Sequence, residues 1–318
     1  MKAIEIEQFG GPDVLKVVDR PTPVAGPGAT LIEVSRAGVN YADTHQAENT
    51  YLTPAKLPLT PGGEVVGRTA DGRRVVGLMP SGGYAEFAVT GDNLIFEVPD
   101  GIDDGAALAL VLQGVTAWHL LRTSARLAGG ETVVVHAGAG GVGLLAVQLA
   151  RLFGAGRVIA TASTEEKRAL AVKHGADIAI EAAPETLRDR LLEVNDDRKI
   201  DVVLEMTGGP VFDQSLRALA PFGRLVVFGQ AGRVAATPVD PVKLMASSRA
   251  VIGFWLGHCF ARPAELIGAP LRELFDLVTD GKLSTVIGGE YPLSEAHRAH
   301  EDLRARRTVG KLLLDPHR

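Results

Sequence analysis

Between residues 131 and 254, short β-branched runs alternate with segments whose apolar residues recur at helical spacing. The runs are 131–136, 157–162, 177–180, 200–205, 223–228 and 250–254. Alternation at this pitch predicts a parallel sheet covered by helices on both faces. Residues 1 to about 115 read differently. Leu31-Ile32-Glu33-Val34, Glu64-Val65-Val66-Gly67, Arg74-Val75-Val76-Gly77-Leu78 and Tyr84-Ala85-Glu86-Phe87-Ala88-Val89 are short runs divided by Gly and Pro, the pattern of a β-rich domain. The first residues, Met1 to Glu7, alternate in the same way. A helix from about Asp103 to Thr123, with acidic residues near its start and an Ala/Leu-rich body, joins the two regimes. Two further helices, about 263–280 and 294–305, and a closing strand Lys311–Leu314 return the chain to the first domain. No internal repeat or low-complexity tract interrupts this order. With 318 residues the chain is too long for one comfortable core, and two domains are expected.

The first strand of the parallel region runs straight into a glycine motif: Val133-Val134-Val135-His136-Ala137-Gly138-Ala139-Gly140-Gly141-Val142-Gly143. Gly138-x-Gly140-x-x-Gly143 lies between a strand and a helix start, the arrangement a dinucleotide pyrophosphate requires. Glycines let the backbone approach the phosphates, and the helix N-terminus supplies free N–H groups and positive dipole character. The second strand ends at Ser163, where an NAD site usually carries an acidic residue for the ribose 2′-hydroxyl. A small hydroxyl there, with Lys167 one turn into the next helix, favours NADPH. Glu165 and Glu166 keep NADH open.

Composition narrows the class. The chain is 46 % hydrophobic and 22 % charged with a net charge of −5, so it carries no basic footprint for nucleic acid. No apolar run approaches the ~18–20 residues that span a bilayer, and the N-terminus lacks a signal-peptide core. A single cysteine, Cys259, excludes an intrachain disulfide framework and a Cys₄ zinc site, and suits a reducing, cytoplasmic compartment.

Motifs spread along nearly the whole chain then make the resemblance specific. Gly38-Val39-Asn40-Tyr41-Ala42-Asp43, Leu59-Thr60-Pro61-Gly62-Gly63-Glu64, Leu112-Gln113-Gly114-Val115-Thr116-Ala117, the glycine loop, Ser163-Thr164-Glu165-Glu166-Lys167, Leu225-Val226-Val227-Phe228-Gly229 and Arg306-Arg307-Thr308-Val309-Gly310-Lys311 occur in family order. The chain resembles the zinc-free members of the medium-chain dehydrogenase/reductase superfamily, most closely the quinone oxidoreductase (zeta-crystallin-like) branch. That resemblance implies an α/β fold: a GroES-like β-rich catalytic domain, residues 1–117 and 256–318, interrupted by a Rossmann doubly wound parallel-sheet domain, residues 118–255, that binds NADPH. It places the active site in the cleft between them. The span from Gly67 to Arg74 is shorter than is usual in the family.

In the zinc alcohol dehydrogenases of the superfamily, a cysteine, and then a histidine beside a glutamate, surround the catalytic metal. Here Asn40 stands at the cysteine position and Gly63 at the histidine position, and only Glu64 remains. Zinc needs about three protein ligands, so no metal is expected, although His45 and Asp43 are conceivable substitutes. Without a Lewis acid, simple alcohol oxidation is disfavoured. Hydride delivery to a quinone or an α,β-unsaturated carbonyl needs less help, because charge spreads onto a distant oxygen.

By matching position, the resemblance puts Gly140, Gly141 and Val142 on the pyrophosphate, within the Gly138–Gly143 loop. It puts Ser163, Lys167 and Arg306 around the 2′-phosphate, and Asn40, Thr116, Gly229, Gln230, Phe254 and Trp255 around the nicotinamide half. Thr116 can equally cap or pack a helix, and Phe254-Trp255 can be core at a strand end. Asn40, Tyr41, Asp43 and Tyr51 are the catalytic candidates, the last three as proton donors or water-orienting groups. The Gly253-Phe254-Trp255-Leu256 stretch and Tyr51 are also similar to mitochondrial-type 2-enoyl thioester reductases, which is the alternative reading. A non-catalytic, NADPH-binding, crystallin-like protein is a third. His136 reads as a packing residue, Glu205 as a group able to face the cofactor, and the Arg304, Arg306 and Arg307 cluster as a solvated helix end. The expected partners are a small-molecule quinone or enone and a second copy of the chain, paired through 250–254; nucleic acid and membrane are not expected.

Overall fold

The computed structural model describes residues 1–318. The strands are β1 (Lys2–Glu5), β2 (Lys16–Asp19), β3 (Ala29–Val39), β4 (Glu64–Thr69), β5 (Arg74–Leu78), β6 (Phe87–Gly91) and β7 (Ile95–Glu97). They continue as β8 (Thr132–Val135), β9 (Arg157–Thr161), β10 (Ile178–Ile180), β11 (Ile200–Glu205), β12 (Leu219–Val227), β13 (Ala250–Gly253), β14 (Ile287–Pro292) and β15 (Lys311–Asp315). The chain divides into two compact units, Met1–Val115 with Cys259–Arg318, and Thr116–His258.

In the first unit a seven-stranded sheet runs in the order β14-β15-β3-β4-β5-β7, with β6 pairing β3, and β1 and β2 form a separate hairpin. The two C-terminal strands enter this sheet because β15 pairs antiparallel with β3, Leu312 opposite Val39 and Leu314 opposite Ala37. Its core gathers Ile4, Ile32, Val34, Val65, Val75 and Leu314, each fully buried Val or Ile contributing roughly 1.5–3 kcal/mol. The short Gly67–Arg74 span is a tight hairpin between β4 and β5, closed by the Thr69 N–H donating to the Arg73 carbonyl at 3.0 Å. The expected strand at Tyr84–Val89 begins later, at Phe87. Tyr84 instead gives its carbonyl to the Ile4 N–H at 2.8 Å, tying the β1 hairpin to the unit.

In the second unit six parallel strands run β10-β9-β8-β11-β12-β13. Counted within the unit this is 3-2-1-4-5-6, the dinucleotide-binding order, whose reversal point lies between β8 and β11. All four residues of β8 are buried, as a strand covered on both faces requires. The strand expected at 223–228 starts earlier, at Leu219: Leu219 pairs with Ile200 and Arg224 with Val202, across an irregularity in which Phe222 has φ 67° and is turned to solvent.

The helix Asp104–Ser124 starts at an Asp103 cap whose carboxylate accepts the Ala106 N–H at 2.7 Å. It corrects one expectation. With 21 residues it is long and apolar enough to cross a bilayer by length and composition, yet 83 % of its apolar window is buried within the protein. It is a core helix. Its turns widen to π geometry at Ala109–Gly114, the stretch that carries Gln113, a distortion common near functional positions.

Candidate active site

In the first unit the chain leaves β3 at Asn40 and turns at once into the helix Tyr41–Ala47. Asn40 takes the N-cap, and the Asp43 carboxylate reaches back to accept the Asn40 N–H at 2.8 Å. The same Oδ2 accepts the Tyr84 hydroxyl at 2.8 Å, and the Tyr84 oxygen lies 3.1 Å from His300 Nε2. Tyr84 has one proton; when Asp43 takes it, His300 must present Nε2–H to the phenol oxygen. Burial pushes the Asp43 carboxyl up to about 6, while the Asn40 N–H, the Tyr84 hydroxyl and Lys311 pull the other way. Burial drives His300 down to about 3, helped by Arg304, so it is neutral.

The Asn40 side chain belongs to a second buried group. Its Nδ2 donates to Glu64 Oε1 at 2.8 Å. Its Oδ1 accepts from Gln113 Nε2 at 3.2 Å and from Lys311 Nζ at 3.1 Å. Lys311 also pairs directly with Glu64, both side chains wholly excluded from solvent. Glu64 Oε2 and Gln113 Oε1 are buried without a hydrogen-bond partner. Sequence reasoning noted Glu64 only as a remnant of a metal site and passed over Lys311, Gln113, Tyr84 and His300. Lys311 opens an apolar strand and reads as a solvent-facing end; only its register beside Asn40 shows it to be internal.

Tyr41 is half-buried and stacks edge-on against His45 at 5.5 Å, and His45 Nδ1 is 2.8 Å from the Thr50 hydroxyl. Tyr51 is half-buried in the loop after this helix. No three His, Cys, Asp or Glu side chains are grouped so as to hold a metal ion. Arg306, after the last helix of the unit, is exposed with φ 55°, while Arg304 pairs with Glu48 at 2.8 Å and Arg307 with Asp302 at 2.6 Å.

In the second unit the nominated residues other than Thr116 follow the carboxyl ends of the strands β8, β9, β12 and β13. The turn after β8 is built by close approach. A Cβ on Gly138 would sit 2.7 Å from the Ala160 Cβ, and one on Gly143 would overlap the Ala137 carbonyl. Gly140 caps the helix Gly141–Leu152, whose first N–H groups have no intrahelical partner. The tightness of the turn therefore leaves a bare cradle at a helix N-terminus, which fits a pyrophosphate. Beneath it His136 is buried between the hydroxyls of Thr161, 3.0 Å from Nδ1, and Ser215, 2.8 Å from Nε2. Burial lowers its pKa to about 4.

After β9, Ser163 is exposed and Thr164 caps the helix Glu165–Lys173, accepting the Lys167 N–H at 3.3 Å. Arg168 is turned back to the Ala162 carbonyl at 3.2 Å. Glu205, at the end of β11, gives its carboxylate to the Thr207 and Gly208 N–H groups at 2.7 and 3.0 Å, and so braces its own loop. Gly229 and Gln230 follow β12, Gly229 packed against Met206 and both exposed. Phe254 continues β13, its N–H donating to the Val227 carbonyl at 2.9 Å, and its ring stacks on the buried His119 at 5.4 Å. Trp255 meets His258 edge-on at 4.9 Å. Thr116 is buried in the long helix.

The two units define the class. Residues 26–100 match the alcohol dehydrogenase GroES-like domain, and residues 141–269 match a family described as zinc-binding dehydrogenase. Together they make a medium-chain dehydrogenase/reductase. Full-length relatives narrow this further. The quinone oxidoreductase of Pseudomonas aeruginosa is 37 % identical over 330 residues, covering 99 % of each chain. The rat quinone oxidoreductase is 34 % identical over 327 residues, covering 99 % of this chain and 97 % of its own. Among solved structures, the Escherichia coli quinone oxidoreductase complexed with NADPH superposes with a TM-score of 0.92 at 32 % identity, over 99 % of this chain and 100 % of that one. The Thermus thermophilus quinone oxidoreductase, solved alone and with NADPH, gives 0.88 at 36 % identity with the same coverage. The chain belongs to the quinone oxidoreductase family of the medium-chain dehydrogenase/reductases, and it is an enzyme of that family.

Proposed function

We propose that the protein is an NADPH-dependent reductase of quinones or related conjugated carbonyls that works without a metal. The observation that carries this reading is the glycine turn, where Gly138 and Gly143 pack against Ala160 and the Ala137 carbonyl with no space for a Cβ, so that bare backbone leads into the N-terminus of the helix Gly141–Leu152. The relatives crystallised with NADPH support the choice of cofactor. Gly140, Gly141 and Val142 would hold the pyrophosphate, and Ser163, Lys167 and Arg306 the 2′-phosphate. Asn40, Thr116, Gly229, Gln230, Phe254 and Trp255 would hold the nicotinamide half.

When bound, NADPH supplies a hydride to the acceptor. The electron pair released within the conjugated acceptor moves to its carbonyl oxygen, which must take up a proton. Tyr41 and Tyr51 are the half-buried hydroxyls that could donate it or orient a water that does. Asp43 is more deeply placed, and its Oδ2 already accepts two hydrogen bonds. It therefore holds the Asn40 turn in shape while Tyr84 and His300 stand behind it.

The second unit also offers an interface. One side of β13 has no strand partner, and the helix Pro241–Ser247 before it buries no residue, leaving Val242 and Met245 exposed. This supports a homodimer paired along β13, which light scattering on the purified protein would test.

The functional experiment is NADPH oxidation by metal-free protein offered an ortho-quinone, a para-quinone and a crotonyl thioester, with NADH as the paired control. Quinone turnover preferring NADPH is the expected result. Turnover of the thioester alone would replace this reading with enoyl thioester reduction. Tight NADPH binding with no turnover would replace it with a non-catalytic role.

A further inference from the structure

The first unit buries a lysine and a glutamate completely, although a buried ion pair is seldom more stable than apolar residues of the same volume. The topology shows what surrounds them. β3 lies between β15 and β4, and both neighbours run antiparallel to it. The start of β15, the end of β3 and the start of β4 therefore meet at one end of the sheet, and Lys311, Asn40 and Glu64 occupy those three places.

All of the lysine's donors converge there, on Glu64 Oε1, on Asn40 Oδ1 at 3.1 Å and on the Val39 carbonyl at 3.4 Å. Gln113 adds a second donor to Asn40 Oδ1, and Glu64 takes one proton of Asn40 Nδ2. Rotating the Asn40 amide by half a turn would set its NH₂ against the lysine and glutamine donors, and its oxygen against a carboxylate. The pair thus permits one orientation of the amide. Glu64 accounts for one of the two Nδ2 protons, and the other donates to no group of the protein. Gly38 serves the same arrangement, since a Cβ there would overlap the Glu64 carboxylate.

We propose that Lys311 and Glu64 are positioning residues that lock the Asn40 carboxamide with one N–H aimed at a hydroxyl or carbonyl acceptor on the nicotinamide half of the cofactor. The inference rests on the proposed role of Asn40 in cofactor binding. It adds that two residues that touch no ligand set the strength of that contact.

The test is a mutant cycle read by calorimetric titration with NADPH. It compares the wild type, Asn40→Ala, the charge-neutral Glu64→Gln/Lys311→Met, and the triple variant. Asn40→Ala is expected to weaken NADPH about tenfold, the loss of one well-placed hydrogen bond. The Glu64→Gln/Lys311→Met variant should weaken it by a similar factor, and the triple variant no further than Asn40→Ala. If Asn40→Ala weakens binding while the neutral pair stays within twofold of wild type, or if the two effects multiply, the positioning role is overturned and the cofactor role of Asn40 survives. If Asn40→Ala binds NADPH as the wild type does, both readings fall.

A second measurement leaves the pair intact. In the wild-type protein, side-chain amide NMR should show one Asn40 Nδ2 proton protected from exchange before NADPH is added and both protected afterwards. Two unprotected protons in the free protein would overturn the lock.

Discussion

His136 sits under the cofactor turn, and its burial makes a prediction about acid stability. Its folded pKa is about 4, because burial disfavours the imidazolium. Its unfolded value is about 6.5. As pH falls through that window the unfolded state binds a proton that the folded state refuses. The stability due to this group is therefore complete above about pH 6.5 and is lost as pH falls towards 4. From pH 7 to pH 5 the loss is about 2 kcal/mol, with a limiting slope of roughly 1.4 kcal/mol per pH unit.

The chain contains two tryptophans, Trp118 and Trp255, both in the unit that contains His136. All four tyrosines lie in the other unit, so tryptophan fluorescence, excited selectively, follows the urea unfolding of the His136 unit. His136→Gln keeps hydrogen-bonding capacity between Thr161 and Ser215 but cannot titrate. It is expected to carry a constant stability offset and to lose about 2 kcal/mol less than wild type between pH 7 and pH 5. The half-buried His174, whose pKa is also lowered by burial, and Glu205, raised by burial, contribute equally to both proteins and cancel in the comparison. If the two proteins lose stability in parallel, His136 is not held neutral and the account of its burial is wrong. In the other unit Asp43 and His300 shift with opposite signs. Asp43, raised to about 6, gains stability as pH falls, and His300, lowered to about 3, loses it, so much of their joint effect vanishes.

Lys311→Met alone should cost about 3–5 kcal/mol, because it strands a buried carboxylate, while Glu64→Gln/Lys311→Met should recover most of that loss; far-UV circular dichroism during urea unfolding compares them. Gly143→Ala should weaken NADPH binding at least about tenfold, since its Cβ meets backbone. Gly140→Ala, whose Cβ would lie 3.2 Å from the Ala137 oxygen, should do less, and calorimetric titration of the two variants ranks them. Ser163→Asp should raise the NADPH dissociation constant about tenfold through like-charge repulsion at the 2′-phosphate, with NADH little changed. An equal loss for both cofactors would show that Ser163 does not face that group.

Local pattern was enough for the elements of the second unit. β8 to β13 are short β-branched runs, and a strand followed by Gly138-x-Gly140-x-x-Gly143 has few other uses, so the sheet and its turn were legible from neighbouring residues. The reading stopped short in two places: the strand expected from 223 starts at Leu219, and the helix expected at about 103–123 is apolar enough to span a bilayer by length and composition although the protein buries it. The family motifs named Asn40 and Asp43, but nothing near them in the chain announced what surrounds them. Lys311 lies 271 residues from Asn40, and the two become neighbours only because β15 returns to pair with β3. Strand register across such a separation is chosen by which apolar faces the whole sheet can bury together, a property of the folded unit that no window of sequence contains. Residue types, periodicity and the phosphate turn were thus determined by the sequence itself. The orientation of one amide, the burial of the pair that holds it and the neutrality of His136 and His300 were decided by tertiary packing, because desolvation and hydrogen-bond geometry exist only once distant segments meet.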